Sequence, residues 1–204
     1  LDELPEFSRH TLEMLREPLE TGEISISRAQ QQLTLPARFQ LIAAMNPCPC
    51  GTRGDGTRRC RCSDSMMMRY FSRLSQPLLD RIDLTLWVSA LKAEDLMKGV
   101  DEDPTDKMRQ RVDAARAIQL DRLKSSNELQ GATCKTTDVN SLFALDSSSR
   151  KLVNLAQDKF HLSNRGITRI LKVARTIADL EGDTDVKEMH VAEAISYRNN
   201  QFRQ

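Results

Sequence analysis

Between Glu23 and Arg28 the chain alternates, with Ile24 and Ile26 on one face and Ser25 and Ser27 on the other. Period two is the pattern of a half-exposed strand. Leu33, Leu35 and Phe39 continue extended chain, so the two runs predict a hairpin. Just upstream, Leu12, Leu15 and Leu19 share one face of a short helix. Ser8 predicts its N-cap, Phe7 and Leu12 a hydrophobic staple, and Gly22 its stop. Phe39 to Met45 is almost continuously apolar, which predicts a strand buried on both faces of a parallel sheet. That run ends at Asn46-Pro47, and the C-terminal end of such a strand commonly carries ligand-binding groups.

Residues 47–65 predict a loop rich in Gly, Arg and Cys. Leu78, Leu79, Ile82 and Leu84 to Val88 return the chain to a core, the last of them as a strand. From about residue 90 the periodicity is helical throughout. Asp103-Pro104-Thr105-Asp106 predicts a helix start ahead of Met108, Val112 and Ala115. Residues 125–137 are polar and loop-like. Leu152, Val153, Ala156 and Phe160 mark a further helix. Ile167, Ile170, Leu171, Ala174, Ile177 and Ala178 give an amphipathic one, stopped by Gly182. Asp185 and Glu188 predict a capping box for a final helix bearing Met189, Ala192 and Ile195. The pattern is half an α/β domain followed by a small all-helical domain.

Composition narrows the picture only a little. With 204 residues, 39% hydrophobic and 29% charged, the chain reads as an ordinary globular protein. A net charge of +1 means that any nucleic-acid contact must come from local patches. No apolar run approaches the ~20 residues of a membrane span. The first residue is Leu1, so a fragment or a processed product is expected.

Two constellations could carry chemistry. Asp2-Glu3 could be a metal-holding carboxylate beside a water-activating one, although Asp-Glu pairs also occur at helix starts and on solvated surfaces. Cys48, Cys50, Cys60 and Cys62 are crowded together, whereas Cys134 stands alone and reads as an inert thiol. Such a cluster in an otherwise ordinary chain points to reduced thiols around a metal. Four thiolates suffice for a closed tetrahedral zinc site. Free thiols, a disulfide and another metal are the competing readings, since the two-residue steps are tighter than a CxxC knuckle. Arg53, Arg58, Arg59 and Arg61 outweigh Asp55 there, so the loop could touch phosphates or simply be solvated. Met66-Met67-Met68 reads as packing, and His10, His161 and His190 suggest no role.

Several segments in one order carry a resemblance that covers almost the whole chain. They are Leu1-Asp2-Glu3-Leu4-Pro5-Glu6-Phe7, Ile26-Ser27-Arg28-Ala29, Pro36-Ala37-Arg38-Phe39, Ala43 to Gly51, Leu78 to Leu84 and Leu171 to Leu180. Together they resemble the magnesium-chelatase-like AAA+ ATPases of the ComM/YifB type. The resemblance implies an α/β fold followed by an all-α one: the C-terminal half of a P-loop ATPase core over residues 1–89, then a helical lid over 90–204. It implies Walker B roles for Asp2 and Glu3, sensor 1 for Asn46, an arginine finger for Arg81 and sensor 2 for Arg165, with Arg169 one turn later as the competitor. For Asn46 and Arg81 the plain alternatives are a chain-breaking Asn before Pro47 and a surface pair with Asp80. Gln76 stands where related sequences usually have Gly, which puts that turn's backbone in doubt.

The cofactors implied are ATP and Mg²⁺, with Zn²⁺ a further expectation at the cysteines. The partners implied are further copies of the same chain in a hexameric ring, and DNA. In such a cytoplasmic motor, acting in recombination during natural transformation as a helicase or branch-migration engine, residues 24–39 would reach the pore with Arg28 and Arg38 near substrate. The rivals are a chelatase motor subunit that drives metal insertion into a porphyrin, and a non-catalytic zinc-stabilised nucleic-acid-binding module. One departure matters most. The family's phosphate-cradling GxxxxGK[ST] loop lies ahead of Walker B and does not occur in these 204 residues, so no appreciable ATP affinity is expected of them alone.

Overall fold

A computed structural model describes residues 1–28, 31–53, 60–89, 94, 97, 105–125 and 145–198. Asp55, Arg58 and Arg59 of the cysteine loop, Asp103-Pro104, most of the 125–137 stretch and Cys134 lie outside these residues. The chain divides into two compact units. One comprises Leu1–Ile82 with 87–89, and the other comprises 83–86 with the described residues beyond 90.

The first unit opens with a 3₁₀ turn, Leu4–Glu6, followed by helices α1 (Arg9–Met14) and α2 (Arg16–Thr21). Ser8 caps α1 as expected, its hydroxyl accepting the Thr11 N–H at 3.1 Å. Phe7 packs on the cluster that buries Leu12. Gly22 ends α2 at φ 72°, a conformation other residues rarely take, and a Cβ there would sit 3.0 Å from Arg38 Cγ. The predicted hairpin forms from β1 (Glu23–Arg28) and β2 (Gln31–Pro36), antiparallel, with Ile24 opposite Leu35 and Ile26 opposite Leu33. These four aliphatic side chains share one face of the ribbon and all are exposed.

Helices α3 (Asp64–Phe71) and α4 (Gln76–Leu79) complete the unit. α3 was not visible as a helix in the sequence, which reads as loop through residue 65. It starts on Ser63, whose hydroxyl accepts the Met66 N–H. Only Met67 of the methionine triplet is buried, and Met66 and Met68 face solvent. Gln76 begins α4 behind the Ser75 cap, an ordinary helical position that needs no glycine. The core is Leu4, Leu12, Leu74 and Leu78, with Leu15, Leu19, Met45 and Leu79 packed against it.

Neither run expected as a strand after the hairpin, Phe39 to Met45 buried on both faces or Leu84 to Val88, forms one. Phe39 to Met45 is not part of any assigned strand, and Phe39 and Ile42 are exposed. Its backbone is nevertheless partnered. The Leu1 amine donates to Ile42 O at 2.7 Å, and the Ala44 N–H donates to Leu1 O at 2.9 Å. Two bonds flanking one residue in this way make a single parallel bridge. A doubly buried strand needs a partner strand on each side and helices on both faces, and the described residues supply only this short neighbour. Residues 84–88 likewise form no strand, and Leu84, Leu86, Trp87 and Val88 are exposed. Among the described residues the only sheet is the two-stranded hairpin.

The second unit is helical: α5 (Thr105–Ser125), α6 (Ser147–Phe160), α7 (Asn164–Glu181) and α8 (Glu188–Ser196). Asp146 caps α6 and Ser163 caps α7, each accepting the N–H three residues on. Gly182 stops α7 at φ 76° as expected. Ile170, Leu171, Ala174 and Ile177 of α7 meet Val153 of α6 and Val191 and Ala194 of α8 in the core. α8 corrects the expected capping box. Its N-cap is Lys187, and the reciprocal group is His190, whose Nδ1 accepts the Lys187 N–H at 3.0 Å. Asp179, fully buried, ties α5 to α7 by accepting both Nη groups of Arg122 and Nε of Arg175.

Candidate active site and cysteine cluster

The parallel bridge at Leu1 sets the geometry of the candidate active site. It runs Leu1–Leu4 alongside Ile42–Ala44, and the Leu4 N–H donates to Ala44 O at 3.0 Å. Asp2 and Glu3 therefore sit at the same edge as the chain end that carries Asn46. Both carboxylates are exposed, so hard oxygen ligands of the kind Mg²⁺ takes are available. Glu3 adopts a left-handed backbone, φ 50° and ψ 48°, with its N–H donating to Asp2 Oδ1 at 2.9 Å. For a residue with a Cβ this conformation costs about 1–2 kcal/mol, and such outliers gather where the surroundings hold a functional group in place. Buried Leu4 and Pro5 anchor the turn from below.

Asn46 is held through its backbone, its carbonyl accepting the Tyr70 hydroxyl at 3.1 Å. Its exposed side chain is flanked by Gly51, where a Cβ would stand 3.8 Å from the amide carbon. Gly51 has φ 76° and closes a turn by donating its N–H to Cys48 O at 2.9 Å. Asn46 and the first cysteine pair are thus parts of one compact bend.

That bend delivers the cysteines. All four sulfurs lie within 4.8 Å of one another. Cys48 to Cys50 is 3.3 Å, Cys50 to Cys60 is 3.6 Å and Cys48 to Cys60 is 3.7 Å. A tetrahedron of Zn–S bonds of about 2.3 Å has edges of about 3.8 Å, whereas a disulfide would be about 2.05 Å. All four thiols are free and Cys48 is fully buried. Donation from the Thr52 hydroxyl and then its backbone amide, helped by neighbouring thiols, brings the Cys50 thiol down to about 5. Desolvation, then the Cys50 contact, pushes Cys62 up to about 12. A cation bound by such a cluster displaces the thiol protons.

Arg81 is set against α2 and the helix before it. Its Nε stands 3.2 Å from Glu20 Oε2 on α2, and Nη1 donates to Pro77 O at 2.7 Å. Asp80 accepts from the Gln76 amide. In the second unit Arg165 is exposed in the first turn of α7, whereas Arg169 is largely covered and paired with Asp83.

Sequence reasoning passed over His190, which is fully buried, with Nε2 2.7 Å from Glu181 and 3.3 Å from Asp183. The trio has the spacing of a metal site. However, Nδ1 already accepts the Lys187 N–H, so the ring proton of the neutral imidazole sits on Nε2 and points at the carboxylates. A metal there would demand an imidazolate. The trio closes the turn between α7 and α8.

Two family models match the chain: magnesium chelatase, subunit ChlI, over residues 1–96, and its C-terminal counterpart over 102–198. The chain belongs to the magnesium-chelatase family. Among its relatives, competence protein ComM of Haemophilus influenzae is 44% identical over 204 residues, covering 97% of this chain and 38% of that protein. YifB of Escherichia coli K12 is 42% identical over 199 residues and YifB of Salmonella typhimurium 40% over 202, with the same coverage of each. Membership gives the AAA+ ATPase fold and places the chain in that superfamily. The chain spans about two fifths of the length of these curated relatives. No described helix is long and apolar enough to cross a membrane.

Proposed function

We propose that the full-length protein is an ATP-driven ring motor, hexameric and cytoplasmic, that acts on DNA. In this reading residues 1–89 hold the hydrolysis side of the nucleotide site and residues 90–204 are its lid. The observation that carries it is the bridge that sets Asp2-Glu3 beside the chain end bearing Asn46, within a chain of this family. Bound Mg²⁺ and ATP would supply the transferable phosphoryl group and part of its charge neutralisation. Asp2 would hold the metal, and Glu3 would orient and polarise the attacking water. Asn46, a neutral amide, would fix the water or the γ-phosphate without adding charge. Arg81 would act in a neighbouring subunit, and Arg165, exposed on α7, would close over the phosphates with the lid.

The exposed hairpin, with Arg38 at its base, supports a substrate-facing role. The name of the relative ComM, a competence protein, points to DNA. The cysteine cluster would bind one zinc as a structural clasp. The family description favours a second reading, a chelatase motor subunit. One experiment separates the readings. Full-length protein should hydrolyse ATP faster with DNA than without it, and Glu3→Gln should abolish turnover. Turnover that needs Glu3 but ignores DNA would select the chelatase reading. DNA binding with no turnover at all would select a non-catalytic zinc-stabilised module.

A further inference from the structure

Arg81 is expected to reach into another subunit's site, yet here it is held inward. Its side chain is only 10% exposed. Arg81 Nε and Glu20 Oε2, which face each other at 3.2 Å, are both sealed from water. Pro77 O takes Nη1. Around them Glu13, Arg16, Glu17 and Thr21 line a shallow recess on α1 and α2 that Arg81 closes. Arg16, the other cation of this recess, is bonded to Glu13.

A guanidinium cannot neutralise charge on a neighbouring chain while its own subunit's carboxylate holds it in this recess. We propose that Glu20 is a positioning residue that keeps Arg81 docked in its own subunit until a neighbour's nucleotide competes for it. The proposal rests on reading Arg81 as an arginine finger. Glu20 is the local stand-in for a phosphate: it offers one negative charge in a partly shielded recess, whereas a γ-phosphate with its developing charge offers more. Exchange is therefore driven by the charge that develops on the neighbour's nucleotide, and the finger rests docked before reaction as well as when nucleotide is absent. The docked population sets a tax on turnover, because only undocked fingers can act.

The test uses the full-length ring. Glu20→Gln keeps the side chain's size and removes its charge. It should raise kcat for ATP about two- to fivefold, the range set by a partly shielded ion pair, and leave KM near the wild-type value. Glu20→Asp should fall between the two. In an Arg81→Ala background Glu20→Gln should give no gain, because its effect passes through Arg81. A loss of packing cannot produce faster turnover, so the gain is not a general structural effect. Unchanged or lower kcat in Glu20→Gln, with Arg81→Ala inactive, would overturn the docking role and leave the finger standing. Full activity of Arg81→Ala would remove the finger itself, and a Glu20→Gln gain that persists without Arg81 would overturn the docking role by another route.

Discussion

Withholding or chelating zinc at the proposed cysteine site is the perturbation whose consequence follows most directly from the geometry. The sulfur separations of 3.3, 3.6 and 3.7 Å fall within about 0.5 Å of the edges of a zinc tetrahedron. Loading therefore asks for small thiol movements. Gly51, Thr52, Arg53, Gly54, Asp55, Gly56, Thr57, Arg58 and Arg59 offer no apolar side chain to bury. Ordering such a stretch costs about 1–2 kcal/mol per residue, some 9–18 kcal/mol in all. Structural zinc in small peptides contributes about 10–16 kcal/mol, a matching size. The two ends should respond differently, because Cys48 is packed in the core and Cys50 is exposed. Purified reduced protein should contain one zinc per chain by elemental analysis. Chelation, or Cys60→Ser with Cys62→Ser, should raise amide exchange at 50–53 and 60–62, with Cys48 and the helical unit protected as before. A folded protein without zinc whose four thiols all titrate freely would refute this account.

In the full-length protein Arg81→Ala should lower ATPase turnover by ~10³-fold or more while nucleotide binding persists. Mixing it with Glu3→Gln subunits should restore some activity at interfaces that join an intact finger to an intact Walker B, and unrescued mixtures would count against action in trans. The 204-residue chain alone should not turn over ATP, and turnover abolished by Glu3→Gln in that chain would show that nucleotide can be gripped without the phosphate loop. Asp179→Ala should destabilise the helical unit by about 3–5 kcal/mol in chemical denaturation, because it leaves Arg122 and Arg175 facing each other without their buried anion; a loss under 1 kcal/mol would refute that role. The Ser149 hydroxyl and amide, then Ser148, hold Asp146 below the usual carboxylate range. Its contribution is therefore present above the unfolded pKa, ~3.9, and is lost as pH falls through the lower folded value. Acid should fray the start of α6 in the wild type and leave an Asp146→Asn variant with little further change, as amide exchange at 148–150 would show.

What the sequence determined by itself was local, and it concerned order along the chain. Ser8, Gly22 and Gly182 mark helix ends because capping and left-handed turns depend on the residue itself and its near neighbours. The period-two run at Ile24 and Ile26 and the helical stripe at Ile170, Leu171, Ala174 and Ile177 are legible for the same reason. The family could be read too, since several motifs in one order are improbable by chance. Tertiary structure alone decided the rest. Phe39 to Met45 has the composition of a buried strand, but burial depends on which segments lie beside it, and among the described residues only Leu1–Leu4 pairs with it. The four cysteines could be counted in the sequence, yet their convergence needed the turn at Gly51. Nothing local announced that Arg81 would lie on Glu20, 61 positions away by subtraction of their numbers, or that His190 would replace Glu188 in the cap. Those contacts form between surfaces that folding brings together, and no period along the chain encodes them.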